Sequence, residues 1–157
     1  MSDVSAPPCT ARDDDAIDIG PLPQLVGYAL RRAQLAVFQD FYATFAEFDI
    51  RPTQFSVLTV LRHNPGRRQS QIADALGIKR ANFVALFDGL RTRGLAERRP
   101  APDDRRAHAL YLTEAGAALL DELAAPLARH EGRFIARLGA ADMQRLLTLL
   151  HRITGDG

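Results

Sequence analysis

A chain of 157 residues with 46% hydrophobic content suits one domain with a packed core. No run of about 18 apolar residues exists, which excludes a membrane span, and the acidic start lacks the basic and apolar stretches of a secretory signal, so a cytosolic protein is expected. The single cysteine, Cys9, excludes an internal disulfide.

The net charge of +1 hides an uneven distribution. Residues 1–30 carry five Asp and one Arg, whereas residues 67–106 carry ten basic and five acidic residues. Positive charge gathered in one stretch is what a phosphate-facing surface requires.

Residues 1–21 are rich in Asp, Ala, Pro and Ser and read as a disordered acidic tail. From Pro23 to about Phe48 the residues Leu25, Tyr28, Leu35, Phe38, Phe41, Tyr42, Phe45 and Phe48 recur at three- and four-residue intervals, predicting a long helix. Its stripe is wide enough to need partners on more than one side. Pro52–His63 is a second helix with proline in its first turn, stopped by Asn64-Pro65-Gly66. Gln69–Leu76 is a third, with Ile72, Ala73 and Leu76 on its buried side. Ser70, near its start, suits a phosphate contact and equally an ordinary helix cap.

Lys79–Arg93 is a fourth helix. Phe83, Leu86, Phe87 and Leu90 face the core, and the opposite face carries Ala81, Asn82, Ala85 and Gly89. Small residues there let a backbone approach the floor of a DNA groove. Lys79 and Arg80 crowd the N-terminal end, where contacts concentrate in a recognition helix, and Asn82 can pair with adenine. Two β-prone runs follow, Leu95–Arg98 and Ala107–Leu112, around a charged turn, Arg99–Arg106. A helix followed by an arginine-tipped hairpin is the outline of a winged helix-turn-helix. Glu114–Leu138, capped by Thr113 and ended by Gly139, and Ala141–Ile153 complete six helices.

The run GLAERRPAPDDRRAHALYLTEAG closely resembles the wing of the MarR family of bacterial transcription regulators, usually GLVxRxxxxxDxRxxxxxLTxxG. Gly94, Leu95, Arg98, Asp104, Arg106, Leu112, Thr113 and Gly116 carry the match. The resemblance extends more weakly over residues 22–153. It implies a mainly α winged helix-turn-helix over about 52–113, with a small β wing. It also implies a homodimer formed through the N- and C-terminal helices, about 22–48 and 114–153. Double-stranded palindromic operator DNA is the implied partner. In such a protein Arg106 enters the minor groove and Asp104 braces the wing by pairing with an arginine. Arg98 and Arg105 then suit phosphate contacts, and a solvated role equally. Many relatives carry a larger polar or basic residue where Ala85 stands, so fewer direct base readers are expected here, and groove width carries more of the specificity.

Regulators of this family are commonly released from DNA by small aromatic or phenolic acids. Here Tyr28 stands three residues before Arg31 and four before Arg32, so an arginine can share a helix face with the phenol. An arginine fork for a carboxylate, with Tyr28, Phe38 and Phe55 as an apolar wall, would suit such a ligand. The run resembles regulators answering hydroxycinnamates or their coenzyme A thioesters. The same residues equally suit dimer salt bridges and plain core.

The enzyme classes are poorly served. There is no Gly-rich phosphate loop, GxSxG, HExxH or CxxC, and the four histidines are scattered, so no cofactor, metal site or catalysis is expected. The remaining alternative is a winged module that binds protein rather than DNA. Paired arginines at the wing favour DNA.

Overall fold

The computed structural model of the chain describes residues 17–101 and 104–155, with side chains for those outside 101–107. Most of the expected acidic tail, Cys9 included, and the side chains of Asp104, Arg105 and Arg106 lie outside the described residues.

The chain divides into two compact units, the first ending at Ala36 and the second beginning at Val37. In the first, a single 3-10 turn at Leu22–Gln24 precedes the start of helix α1, Val26–Thr44. None of its described residues is buried, and Leu22, Leu25, Val26, Leu30 and Leu35 are all exposed.

The second unit holds α2 (Pro52–His63), α3 (Gln69–Ala75), α4 (Arg80–Thr92), α5 (Glu114–Leu138) and α6 (Ala140–Thr154). It also holds a three-stranded antiparallel sheet of order β1-β3-β2, with β1 at Arg67–Arg68, β2 at Ala96–Ala101 and β3 at Asp104–Leu112. Its core joins Phe41 and Phe45, Val57, Leu58 and Leu61 of α2, Ile72 of α3, Phe83, Phe87 and Leu90 of α4, and Leu120 and Leu123 of α5.

Several boundaries differ from the sequence reading, beginning with α1, which starts at Val26 rather than Pro23. The first helix stops at Thr44 rather than about Phe48. Thr44 turns its hydroxyl back onto the Asp40 carbonyl at 2.7 Å, Ala46–Phe48 tightens into a 3-10 turn, and Asp49 takes a left-handed conformation with φ 46°. That turn lets Phe45 and Ile50 both bury. The wing strands also run further toward the tip than Arg98 and Ala107. Pro100 pairs in register with His108. β2 lies at the sheet edge, where a proline's missing N–H forfeits little ladder bonding. A register shift follows between Pro100 and Ala101.

Helix starts follow expected chemistry. Pro52 opens α2, and the Arg51 N–H donates to Gln54 Oε1 at 3.0 Å. The Arg68 N–H does the same to Gln71 Oε1 before α3. Thr113 Oγ1 accepts from the Gly116 N–H at 3.0 Å and caps α5. α6 buries no residue, and Leu146, Leu147, Leu149 and Ile153 stand exposed along it. An apolar face of that extent marks a surface for another chain.

Candidate nucleic-acid interface

α4 presents two opposed faces. Phe83, Phe87 and Leu90 are fully buried, with Phe83 and Phe87 stacked at 6.1 Å, so the helix is seated by aromatic packing. Ala81, Asn82, Ala85 and Gly89 are exposed, as the period required. Lys79 caps the helix and Arg80 opens it, both exposed; Arg80 lies 3.6 Å from Asp74 of α3, a loose surface pair that leaves it free to turn outward. Ser70 is half-buried at the start of α3. The side chain that closes this helix start is Gln71, whose Oε1 accepts from the Arg68 N–H.

Arg98 is half-buried and held by its neighbours. Its side chain is 27% exposed, one guanidinium nitrogen lies 3.0 Å from Asp88 Oδ1, and another donates to Gln69 Oε1 at 3.3 Å. The guanidinium also lies 5.0 Å from the centre of the Phe87 ring. One residue of β2 thereby ties α3 and α4 to the wing. Asp88 Oδ1 is sealed from solvent without a well-aligned hydrogen bond, so it is neutralised by the charges of Arg98 and, at 3.5 Å, Arg91. Arg99 is likewise engaged: it donates to Glu97 Oε1 at 2.9 Å and lies over Tyr111 at 4.6 Å. Arg93 clamps the far end of α4, donating to the Asp49 carbonyl at 2.6 Å and the Phe48 carbonyl at 3.1 Å. Between the start of α3 and the wing lies a cleft of about 390 Å³ lined by Arg68, Gln69, Ser70, Arg98 and His108.

The residues expected at an effector site fall in different settings. Tyr28 is half-buried and Arg31 and Arg32 are exposed, all on α1. Phe38 and Phe55 are half-buried. Phe55 joins an aromatic cluster, 6.2 Å from Phe41 and 6.5 Å from Phe45.

That cluster contains a histidine that the sequence showed only as one of four scattered ones. His130 of α5 is 3% exposed and meets Phe41, Phe45 and Phe134 edge-on. Its Nδ1 lies 2.5 Å from Asp40 Oδ2. Arg133 grips the same carboxylate with two nitrogens, each at 2.7 Å, and also reaches the Thr44 hydroxyl. Asp40 stands 90 residues before His130 and 93 before Arg133, so no local spacing announces its pairing with them. The Arg133 hydrogen bonds lower the Asp40 pKa below its usual 3.8, with help from His130 and against the cost of burial. A carboxyl depressed in the folded state adds stability above its unfolded pKa and loses it as pH falls through the folded value. The unfolding free energy of the wild type should therefore approach that of Asp40→Asn as pH falls below about 4. Chemical denaturation of both proteins, at one protein concentration across the acid range, checks this. A gap independent of pH would show the ion pair to be inert.

The geometry invites comparison with proteins of known class. A model described as the MarR family matches residues 48–107, which covers α2 to the wing. A Thauera aromatica protein, described as a candidate transcriptional regulatory protein for the hcr operon, is 33% identical over 135 residues, covering 85% of this chain and 81% of its own. The solved structure of the transcriptional repressor CouR on a 23-mer DNA duplex superposes with a TM-score of 0.84 at 47% identity, covering 89% of this chain and 99% of that one. CouR bound to p-coumaroyl-CoA superposes with a TM-score of 0.83 at 45% identity, covering 88% and 98%. An exposed recognition face of small residues, a braced β wing and relatives of this similarity over most of their length lead to one conclusion: the chain belongs to the MarR family of transcription regulators.

Proposed function

We propose that the protein is a homodimeric repressor that binds palindromic operator DNA and is released by an aromatic acid, most directly a hydroxycinnamate in its coenzyme A thioester form. The observation that carries the DNA reading is α4, with its small-residue face open and its opposite face locked into the core beside the wing. In this reading residues 52–113 form the DNA-binding part, and two such units sit one helical turn apart on the operator. Residues 22–48 and 114–153 join the two copies, which covers the exposed apolar residues of α1 and α6.

Lys79, Arg80 and Asn82 address the major groove, Ser70 and Arg105 the phosphates, and Arg106 the minor groove, with Asp104 bracing the tip. The effector class rests on the similarity to a repressor solved with p-coumaroyl-CoA. Arg31 and Arg32, exposed on α1, supply charge for a carboxylate or for coenzyme A phosphates, and Tyr28 supplies a phenol beside them. Phe55 and Phe38, both half-buried, are the aromatics assigned to a hydroxycinnamoyl ring. The protein works by binding, without catalysis, in the cytoplasm; no described helix is long and apolar enough to cross a membrane.

Fluorescence anisotropy with the DNA upstream of the protein's own gene tests the reading. Log K should fall steeply with log salt. Arg106→Ala should weaken binding by about 1–3 kcal/mol at matched salt, the worth of one good base contact. Equal binding by that variant would remove Arg106 from the interface. Failure of the wild type to bind at low salt would remove the DNA reading itself.

A further inference from the structure

The cleft between α3 and the wing is lined by hydrogen-bonding side chains. Of its five lining residues, Arg68, Gln69, Ser70, Arg98 and His108, none is apolar and none is a carboxylate. Such a lining, with two guanidiniums, a hydroxyl and an imidazole, suits an anion with several acceptor oxygens. The two walls come from separate elements held at fixed spacing. Arg98 fixes them: it spans from β2 to Gln69 and Asp88, so much of its charge is already spent. Arg68 is different. Among the described residues it pairs with no carboxylate, and its side chain is exposed. Its backbone is anchored on both sides, by pairing with Ala109 of β3 and by the N–H bond to Gln71. His108 stands exposed on the opposite wall, in register with Pro100.

We propose that this cleft seats one phosphodiester of the DNA backbone, with Arg68 and His108 as its donors and Arg98 as the brace that sets its width. The proposal rests on the DNA-binding reading and adds two contacts that reading lacked. A backbone phosphate fits better than a free anion for two reasons. The cleft lies between the strand that leads to the wing tip and the helix that leads into α4, so a DNA strand contacting both elements passes over it. The recognition face is also poor in donors, with Ala81, Ala85 and Gly89 exposed on it, so affinity must draw more heavily on phosphates. Such a contact carries no sequence information and weakens every duplex alike.

The test measures anisotropy with two duplexes of equal length, the upstream DNA and a scrambled sequence, across a salt series. Arg68→Ala and His108→Ala are each expected to weaken both duplexes by the same factor, about tenfold, as loss of a hydrogen bond to a charged group does. Arg68→Ala should also flatten the slope of log K against log salt by about 0.9 per protomer, and Arg68→Lys should restore it. Thermal melts of each variant separate misfolding from lost contact, and the lysine variant reports on charge even if the alanine variant melts early. Wild-type binding with unchanged affinity and slope in both alanine variants would overturn the cleft assignment and leave the DNA reading intact. A loss confined to the upstream duplex would overturn it too, by showing base readout. The His108 ring resonances should shift on adding duplex but not on adding inorganic phosphate at matched ionic strength. An equal shift with inorganic phosphate would make this a free-anion site.

Discussion

Replacing Gly116 by alanine should lower folding stability by about 3 kcal/mol, at the severe end for overpacking a well-packed site. A Cβ at Gly116 would lie 2.1 Å from the Leu95 carbonyl oxygen, 3.1 Å from the Leu95 carbonyl carbon and 2.7 Å from Leu112 Cδ1. Two of those atoms are backbone and cannot swing aside. The first turn of α5 is also pinned there. Thr113 Oγ1 donates to the Gly94 carbonyl at 2.6 Å, and the Thr113 N–H donates to the Leu95 carbonyl at 3.2 Å. Relief would require moving α5 off the base of the wing. Denaturation at fixed protein concentration should show a lower midpoint with little change in slope. A loss under about 0.5 kcal/mol, the usual range of a surface change, would mean that the helix and wing are not locked together as described.

The same contacts explain why the wing motif was readable. Gly94 ends α4 with φ 71°, a conformation that favours glycine, Thr113 caps α5 and Gly116 admits the Leu95 carbonyl. Each of these is a local demand on one residue type, so each leaves a mark in the sequence. The faces of α4 were legible for a similar reason, since one helical period separates Phe83, Phe87 and Leu90 from Ala81 and Ala85. The end of α1 was not: the stripe continues through Phe45 and Phe48, and only the break at Thr44 shows that the chain turns to bury Phe45. Arg98 looks in sequence like another exposed wing arginine. Its engagement depends on Asp88 and Gln69, which only folding brings to it. His130 was hidden by distance as well, because both its burial and its Asp40 partner are tertiary.

Saturating p-coumaroyl-CoA should lower operator affinity by about 100-fold, within the usual range of coupling between two sites. The effector can act only through a difference in its affinity for two arrangements of the dimer. It must prefer one in which the two copies of α4 are wrongly spaced for successive major grooves. We expect α5 to carry this coupling. Its first turn is locked to the wing through Thr113 and Gly116, and its later turns meet α1 residues through His130 and Arg133 on Asp40. A ligand that shifts the second contact is expected to act along α5, through the turn that holds Pro126, on the DNA-binding part at its other end. By reciprocity, bound operator should weaken the thioester by the same factor.

The most direct measurement titrates the preformed complex of the protein with its upstream DNA, at fixed salt, with p-coumaroyl-CoA and in parallel with free coenzyme A. The account predicts that the thioester releases the DNA, that free coenzyme A does not, and that Arg31→Ala and Arg32→Ala proteins need more thioester for release. Tight operator binding left unchanged by saturating thioester, with thioester binding shown independently by calorimetry, would contradict it.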